Sequence, residues 1–512
     1  MSFFQKVSFL LFFCLSPGTF IFCQAPDTLW TKSYGQSGFV HEVGTAVTAT
    51  ADGGYMVAGY LDYAQNDIWL LKTDRFGDTL WTRRIDGYGH NDRAFDIKTV
   101  TQGGYIVTGY TVTKIHWYGG SDYVPETEIW LVRLNDQGDT LWTKTFGQID
   151  NFVGYGDIGY SVLEANDGGF VIAGEYSWVM VVIKTDANGQ LIWEKQFGNS
   201  SCCPDEAAYG IAATADGGYI VTGSLYTGSS TDYDLALLRL DSLGNTLWSK
   251  RFDADAYDDI GKSVQPMPDG GFMVTGNSIF KGWNNELHVQ RWVLRTNADG
   301  DTLWTKKFRD IAKDQEANAV LVSTHHTLVI TGKSQGLYGH NLLYIGSLNY
   351  AGEVLWEKTI DSDGLPDNIG YDIAETPDSG YIVTGKYSRD IGVEGSNLWL
   401  VKLTAEETQP QALLSRLTPL SVQFDIYPNP SLRSARIDLY LGEENQTLNL
   451  TLFDIRGRRI KTLFEGNLLP NHTTRLPWDG GDANRKEISP GIYLLQAKTE
   501  KQQMTRRLTI IR

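Results

Sequence analysis

Short apolar runs alternate with turn residues along most of the chain, and the same runs return in the same order. One run follows glycine and an aromatic residue: GGYMVAG from Gly53, GGYIVTG from Gly103, GGFVIAG from Gly168, GGYIVTG from Gly217 and GGFMVTG from Gly270. Two divergent copies are HTLVITG from His326 and SGYIVTG from Ser379. A second run ends in a turn: IWLLKTD, IWLVRLN, VMVVIKTD, LALLRLD, RWVLRTN, LLYIGSLN and NLWLVKLT. A third carries Trp30, Trp81, Trp142, Trp193, Trp248, Trp304 and Trp356, spaced about 50–60 residues apart. A fourth precedes each glycine pair: GTAVTAT, AFDIKTV, GYSVLEA, YGIAAT, GKSVQPM, NAVLVS and GYDIAET. All are short, rich in β-branched and aromatic residues, and bounded by Gly or Asp-Gly, which predicts strands and tight turns. No helical period is evident.

Four strands at this repeat length predict one blade of a β-propeller, and seven copies predict seven blades over residues 26–403. The first Trp strand, TLWTKSY, has no unit before it, and the seventh unit, begun near residue 368, has no Trp strand after it. Strand 27–34 is therefore expected to complete the last blade and close the ring, which removes two exposed sheet edges. An open solenoid is the alternative, but it has no need of complementary half-units.

Aligned on the glycine hairpins, Gly44, Ala94, Gly159, Ala208, Gly261, Asn318 and Gly370 form a column of small residues. This marks the first strand as the one beside the axis, where strands converge. Two residues earlier runs a polar column, Glu42, Asp92, Asp157, Glu206, Asp259, Glu316 and Asn368, with a one-residue deletion assumed in the sixth hairpin. Such a column reads either as a cation-binding ring or as carboxylates accepting backbone N–H groups at a bend; repetition in every unit favours the second.

The turns between first and second strands, and between third and fourth, are tight Asp/Asn-x-Gly types that need no further role. The other connections vary in length and emerge at the opposite end. Variable loops on a fixed scaffold are where binding resides. They carry Tyr63, His116, Trp117, Tyr118, Tyr123, Tyr226, Tyr233, Trp283 and Tyr338, aromatics beside carboxylates that suit a glycan or protein surface. DADAYDD offers Asp253, Asp255, Asp258 and Asp259 as calcium ligands, although the spacing is not that of an EF-hand. GKSQG at 332–336 has the form of a nucleophile elbow but ends a strand rather than opening a helix. No catalytic residue is assigned.

The chain has 512 residues, a formal net charge of −17 and 54 glycines. The segment after Pro419 is basic, at about +4, so the repeat carries more than the whole negative charge. That excludes nucleic acid as a natural partner. MSFFQKVSFLLFFCLSPGTFIFC reads as a signal peptide over residues 1–25, so export through the periplasm is expected. Beyond it only Cys202 and Cys203 remain, which excludes a disulfide framework.

Residues 404–419 lack the repeat and read as a linker. Residues 420–512 form about seven short alternating strands, enough for a small β-sandwich. YPNP at 427–430, LFDIRGRRIKTL at 452–463, SPGIYLLQ at 489–496 and the terminal RRLTIIR resemble the C-terminal sorting domain of type IX secretion cargo. WDGGDANRKEISPGIYLLQ also resembles an Ig-like domain of flagellar hook-capping proteins. The first resemblance implies a Bacteroidota-type host, passage across the outer membrane, the secretion machinery as partner, and release or attachment at the cell surface. Together these readings give an all-β, secreted binding protein for a glycan or protein ligand. The alternatives are a propeller polysaccharide lyase or hydrolase, and a structural surface component without a small ligand.

Overall fold

The computed structural model describes residues 25–35, 41–62, 67–119, 122–147, 156–198, 206–226, 233–254, 257–282, 286–310, 313–336, 339–361, 367–388, 395–406, 422–427, 435–441, 447–454, 456–467, 472–483, 486–498 and 503–510. Every element among them is a strand. Two compact units emerge, one spanning Ile21–Glu407 and one containing Thr408–Arg512.

The larger unit begins with β1 (Thr28–Tyr34). The first four-stranded meander is β2 (His41–Ala49), β3 (Tyr55–Asp62), β4 (Asp67–Thr73) and β5 (Thr79–Ile85). The second is β6 (Asp92–Thr99), β7 (Tyr105–Gly119), β8 (Asp122–Leu134) and β9 (Thr140–Phe146). The third is β10 (Ile158–Glu164), β11 (Phe170–Tyr176), β12 (Val179–Thr185) and β13 (Leu191–Phe197). The fourth is β14 (Ala207–Ala213), β15 (Tyr219–Tyr226), β16 (Tyr233–Leu240) and β17 (Thr246–Phe252). The fifth is β18 (Asp259–Pro266), β19 (Phe272–Lys281), β20 (Leu287–Thr296) and β21 (Thr302–Phe308). The sixth is β22 (Gln315–Val322), β23 (Leu328–Gln335), β24 (Asn341–Leu348) and β25 (Val354–Ile360). Three more strands follow, β26 (Ile369–Glu375), β27 (Tyr381–Ser388) and β28 (Ser396–Leu403), and a parallel pairing of His41 with Ser396 joins them and β1 to the first meander in one eight-stranded sheet. Each is an antiparallel meander, the arrangement of a propeller-like fold.

β1 lies antiparallel to β28, with Thr31 opposite Val401 and Tyr34 opposite Leu398. The junction copies the tight turn of the other units, although its two halves are far apart in the chain. In the first unit Asp74 N donates to the Asp78 carbonyl (2.9 Å) and Asp78 N to Asp74 Oδ1 (2.8 Å). At the junction Thr404 N donates to the Asp27 carbonyl (2.9 Å) and Asp27 N to Thr404 Oγ1 (2.9 Å). Trp30 packs on Gly77, as Trp81 does on Gly138 and Trp193 on Gly244. Gly77 has φ +77°, and a Cβ there would lie 2.8 Å from the Trp30 ring, so glycine meets both needs.

At the turn end a buried cation recurs. Lys72 Nζ donates to Asp52 Oδ1 (3.0 Å), Thr50 Oγ1 (3.0 Å) and the Thr73 carbonyl (3.1 Å). Lys184–Asp167, Arg239–Asp216, Arg295–Asp269 and Lys402–Asp378 repeat the pair. Burial opposes ionisation of Asp52, but hydrogen bonds from Lys72, Thr50 and Gly54 hold its carboxyl down to about 2. The sixth unit has Ser347 in place of the cation, and there Glu406 Oε1 accepts from Ser347 (3.1 Å), Thr327 (3.0 Å) and Tyr381 (3.0 Å). Glu406, within the stretch read as linker, is buried on the repeat.

Two expectations change. The sixth unit needs no deletion: its register shift falls between Ala317 and Ala319, as it falls between Gly44 and Ala46 in the first. Ala317 therefore belongs to the small column and Gln315 to the polar one, in place of Asn318 and Glu316. The small residues are small because the preceding unit presses on them: a Cβ on Gly44, Gly159, Gly261 or Gly370 would meet the hydroxyl of Thr384, Thr108, Thr222 or Thr331. The segment 111–128, read as a loop, is instead a hairpin continuing β7 and β8, with Ile115 opposite Pro125 and Trp117 opposite Tyr123. Its alternating apolar and polar residues extend the ladder.

The smaller unit has two sheets. One orders β29 (Val422–Tyr427), β30 (Ala435–Leu441) and β33 (His472–Trp478); the other orders β32 (Arg459–Asn467), β31 (Thr447–Asp454), β34 (Gly491–Lys498) and β35 (Gln503–Ile510). Alternate residues of both build one core, including Ile437, Leu439, Leu450, Leu452, Leu495 and Leu508. DIRGR makes the β31–β32 turn: Arg456 N and Arg458 N donate to Asp454 Oδ1 (3.0 and 2.9 Å), and Gly457 supplies a φ of +77°.

Candidate functional site

A β-bulge in each first strand builds the central site. Gly44 pairs Gly59 and Ala46 pairs Ala58, which leaves Thr45 as an extra residue. The same shift leaves Phe95, Tyr160, Tyr209, Lys262, Asn318 and Tyr371 extra. All seven line two adjoining cavities, of about 420 Å³ toward the turn end and about 530 Å³ toward the loop end. Here symmetry fails. Phe95 and Tyr160 ring centroids lie 5.3 Å apart, Tyr160 and Tyr209 4.8 Å, and Phe95 and Tyr110 6.1 Å. Lys262 Nζ stands 3.9 Å from the Tyr209 ring centre, and the Arg93 guanidinium 4.3 Å from that of Tyr60. One side is thus an aromatic arc; the other carries Lys262, Glu316 and Asn318.

Burial pulls Lys262 below its usual range, and it raises Tyr371 and Tyr60. In the turn-end cavity Lys98 Nζ bonds Asp96 Oδ1 (2.5 Å). Burial alone would lower Lys98, but Asp96 and Asp372 outweigh it and hold it protonated. The remaining carboxylate oxygens join neighbouring units: Asp96 Oδ2 accepts from Val162 N (3.0 Å), and Asp372 Oδ2 from Val47 N (3.0 Å).

The acidic column behaves as bend-capping carboxylates. Asp92 accepts from Gly87 N (2.7 Å), Asp157 from Ser177 N (2.9 Å), Glu206 from Tyr226 N (3.0 Å) and Asp259 from Ala254 N (2.5 Å). Burial pushes Asp92 up to about 6 and Asp259 up to about 7.

Of the loop aromatics named from the sequence, Tyr226 and Tyr233 meet across β15 and β16 with ring centroids 6.0 Å apart. Asp258 Oδ1 accepts from Tyr233 N (3.2 Å), so that calcium candidate joins the pair. His116 stands elsewhere, on the β7–β8 hairpin, where Nε2 lies 2.7 Å from Glu126 Oε2. His116 and Lys114 draw Glu126 below its usual range. Tyr63, Trp283, Tyr338 and Asp255 lie outside the described residues, as do the side chains of Trp117, Tyr118 and Tyr123. Asp253 is exposed.

The cavity residues were not among the sequence candidates. Their signal was present: the residue after each small one varies from Thr to Tyr to Lys in a repeat otherwise nearly uniform. The one-residue misplacement of the sixth unit hid Asn318 from that column.

The model of one family, the secretion system C-terminal sorting domain, matches residues 425–511. Those residues are a type IX secretion sorting domain. The sorting domain directs the protein to the cell surface or outside and implies contact with the type IX machinery. No curated protein matches the chain in sequence. Among solved structures, the chain is similar to a protein of unknown function from Dyadobacter fermentans, at 12% identity and TM-score 0.45, over 74% of this chain and 99% of that one. It is similar to a fungal AA5-family alcohol oxidase in complex with copper, at 11% identity and TM-score 0.44, over 96% and 100%. PorZ, a surface component of the type IX system of Porphyromonas gingivalis, gives 11% identity and TM-score 0.19, over 92% and 81%. These scores carry no argument about activity. Among the described residues no helix is long and apolar enough to cross a membrane.

Proposed function

We propose that this exported surface protein is a glycan-binding propeller of seven blades, closed by β1 and holding its ligand in the loop-end cavity. Closure is supported by the β1–β28 pairing, the split turn at Asp27 and Thr404, and Trp30 seated on Gly77. It is also supported by the order of first strands, since β2 touches both β6 and β26. The observation that carries binding is the aromatic arc of Phe95, Tyr160 and Tyr209 in a cavity of about 530 Å³. A position that serves only the scaffold has no reason to vary among units, and this one holds five residue types in seven units. Flat rings with a polar edge stack on sugar faces while leaving hydroxyls to Lys262, Asn318 and Glu316. A cavity of this size takes one end of an oligosaccharide, whereas a protein partner needs a broad surface.

The test is calorimetry of the purified protein against bacterial and host polysaccharides, with Tyr160→Ala and Tyr209→Ala beside it. Binding that both substitutions weaken at least about tenfold supports the reading. Binding that both leave intact moves the site to the outer loops, near Tyr226 and Tyr233. Shortening of the bound polysaccharide would favour a lyase or hydrolase. No binding across the panel would favour a structural role.

A further inference from the structure

Two lysines among the described residues line the central cavities, and they are held in opposite ways. Lys98, in the turn-end cavity, bonds Asp96 Oδ1 at 2.5 Å and lies in the field of Asp372, so its charge is already balanced. Lys262 lines both cavities and so stands at their junction. Among the described residues its ammonium forms no ion pair and donates to no oxygen. It rests instead on the Tyr209 ring, with Nζ 3.9 Å from the ring centre. A cation–π contact attracts a cation without neutralising it.

The acids nearest Lys262 are engaged elsewhere. Glu316 and Glu175 are the carboxylates whose fields reach it, and burial outweighs both, pulling it below the usual lysine range. Glu316 Oε1 pairs Lys333 Nζ at 2.7 Å, and Glu175 Oε1 accepts from the Tyr160 hydroxyl at 2.9 Å. Asp258, which lines the loop-end cavity with Glu316, accepts Tyr233 N on Oδ1 (3.2 Å). Lys262 therefore carries a positive charge that no side chain of the cavity answers directly.

The consequence rests on the reading that the loop-end cavity takes a glycan. A sugar seated against the aromatic arc strips water from Lys262. An ammonium dehydrated without a counter-charge is costly, and a neutral sugar brings none. An anionic group on the sugar supplies it, in charge-assisted hydrogen bonds about twice as strong as neutral ones. The other groups fit the same pose. Asp258 and Glu316 line the loop-end cavity alone, at the loop ends of their first strands, where they can accept sugar hydroxyls. Asn318 Nδ2 is spent on the Gly370 carbonyl (2.9 Å), which leaves Oδ1 as an acceptor. Tyr371 lines both cavities, and burial keeps its hydroxyl protonated as a second donor.

We propose that the sugar residue reaching the junction of the two cavities is acidic, bearing a carboxylate or a sulfate, and that Lys262 is its counter-ion and sets this specificity. The whole chain carries a formal net charge of −17, which repels a dense polyanion. One acidic residue on an otherwise neutral oligosaccharide escapes most of that repulsion and still answers Lys262.

Calorimetry of the purified full chain tests this with sialyllactose, glucuronyl-xylotriose and sulfated lactose, each beside a neutral counterpart: the methyl esters of the first two, and lactose for the third. At least one acidic sugar should bind at least about tenfold more tightly than its counterpart. Which one does so tells carboxylate from sulfate. Lys262→Met keeps the apolar stem on Tyr209 and should bring that pair within about twofold, whereas Lys262→Arg should keep the preference. The acid–ester comparison on the wild type needs no variant, so it decides the matter even where Lys262→Met fails to fold. Acidic and neutral sugars that bind alike, both weakened by Tyr209→Ala, overturn the inference and leave the glycan reading standing. A preference for the acid that survives in Lys262→Met overturns it too, because another group then reads the charge. Binding of neutral polysaccharides but of none of the acidic sugars has the same result, and no binding of any sugar overturns this inference together with the reading it rests on.

Discussion

The two ends of the same strands are built on opposite plans. At the turn end, one device is copied: a buried Lys or Arg clamps an Asp of the first turn in five units, from Lys72 to Lys402. At the loop end and along the central cavities, equivalent positions hold Thr45, Phe95, Tyr160, Tyr209, Lys262, Asn318 and Tyr371, five residue types in seven units. A residue that every unit needs is a residue of the scaffold. A position free to differ has been released from that duty, and the bulge releases it by lifting the side chain out of the ladder.

Removing β1 should break the comparison hardest, because both ends depend on it. A chain lacking residues 25–34 loses the ladder on β28, the Trp30–Gly77 contact and the split turn, and it bares β28 as an open edge. Its melting temperature should fall by more than about 10 °C, or the protein should aggregate. A melt unchanged by the deletion would mean that β1 is an appendage and that the first and last units are held together by other contacts.

The turn-end device is next. Lys72→Met keeps the apolar stem but strips Thr50 and the Thr73 carbonyl of their donor. About 1–3 kcal/mol should be lost, seen as a fall of about 3 °C. The sign with pH follows from Asp52, whose folded value lies near 2, below its unfolded value. Its contribution is present above about pH 4 and is lost as pH falls toward 2. The wild type should therefore lose more stability over that window than Lys72→Met, by a small margin because Asp52 is more than half exposed. Equal acid slopes would show that the pair contributes nothing through charge.

Repetition also decided what the sequence could disclose. Strands, turns and the orphan Trp strand recur or complement one another, so the four-stranded sheets and the β1–β28 pairing were legible before any coordinates. The bend-capping role of Asp92 and Asp157 was legible for the same reason. The bulge was not, because a single extra residue leaves the apolar pattern intact while moving Phe95 and Tyr160 into the central cavities. The continued pairing of 111–119 with 122–128 was hidden by the Gly-Gly-Ser sequence, which reads as loop.

The smallest stability effect is expected where the functional effect is largest. Tyr160 and Tyr209 are half-buried cavity residues, and neither belongs to the core clusters that join neighbouring sheets. Tyr160→Ala loses ring contacts with Phe95 and Tyr209 and the hydrogen bond to Glu175, but leaves the ladder of β10 in place. Its melting temperature should stay within about 2 °C of wild type. Ligand affinity should drop at least about tenfold, since stacking is lost from the centre of the contact. Lys72→Met should show the reverse, a lower melt with affinity unchanged below the transition. If instead Tyr160→Ala melts as low as Lys72→Met, the aromatic arc is packing for the inner strands. The varied column would then record seven local solutions to filling an axis rather than one binding site.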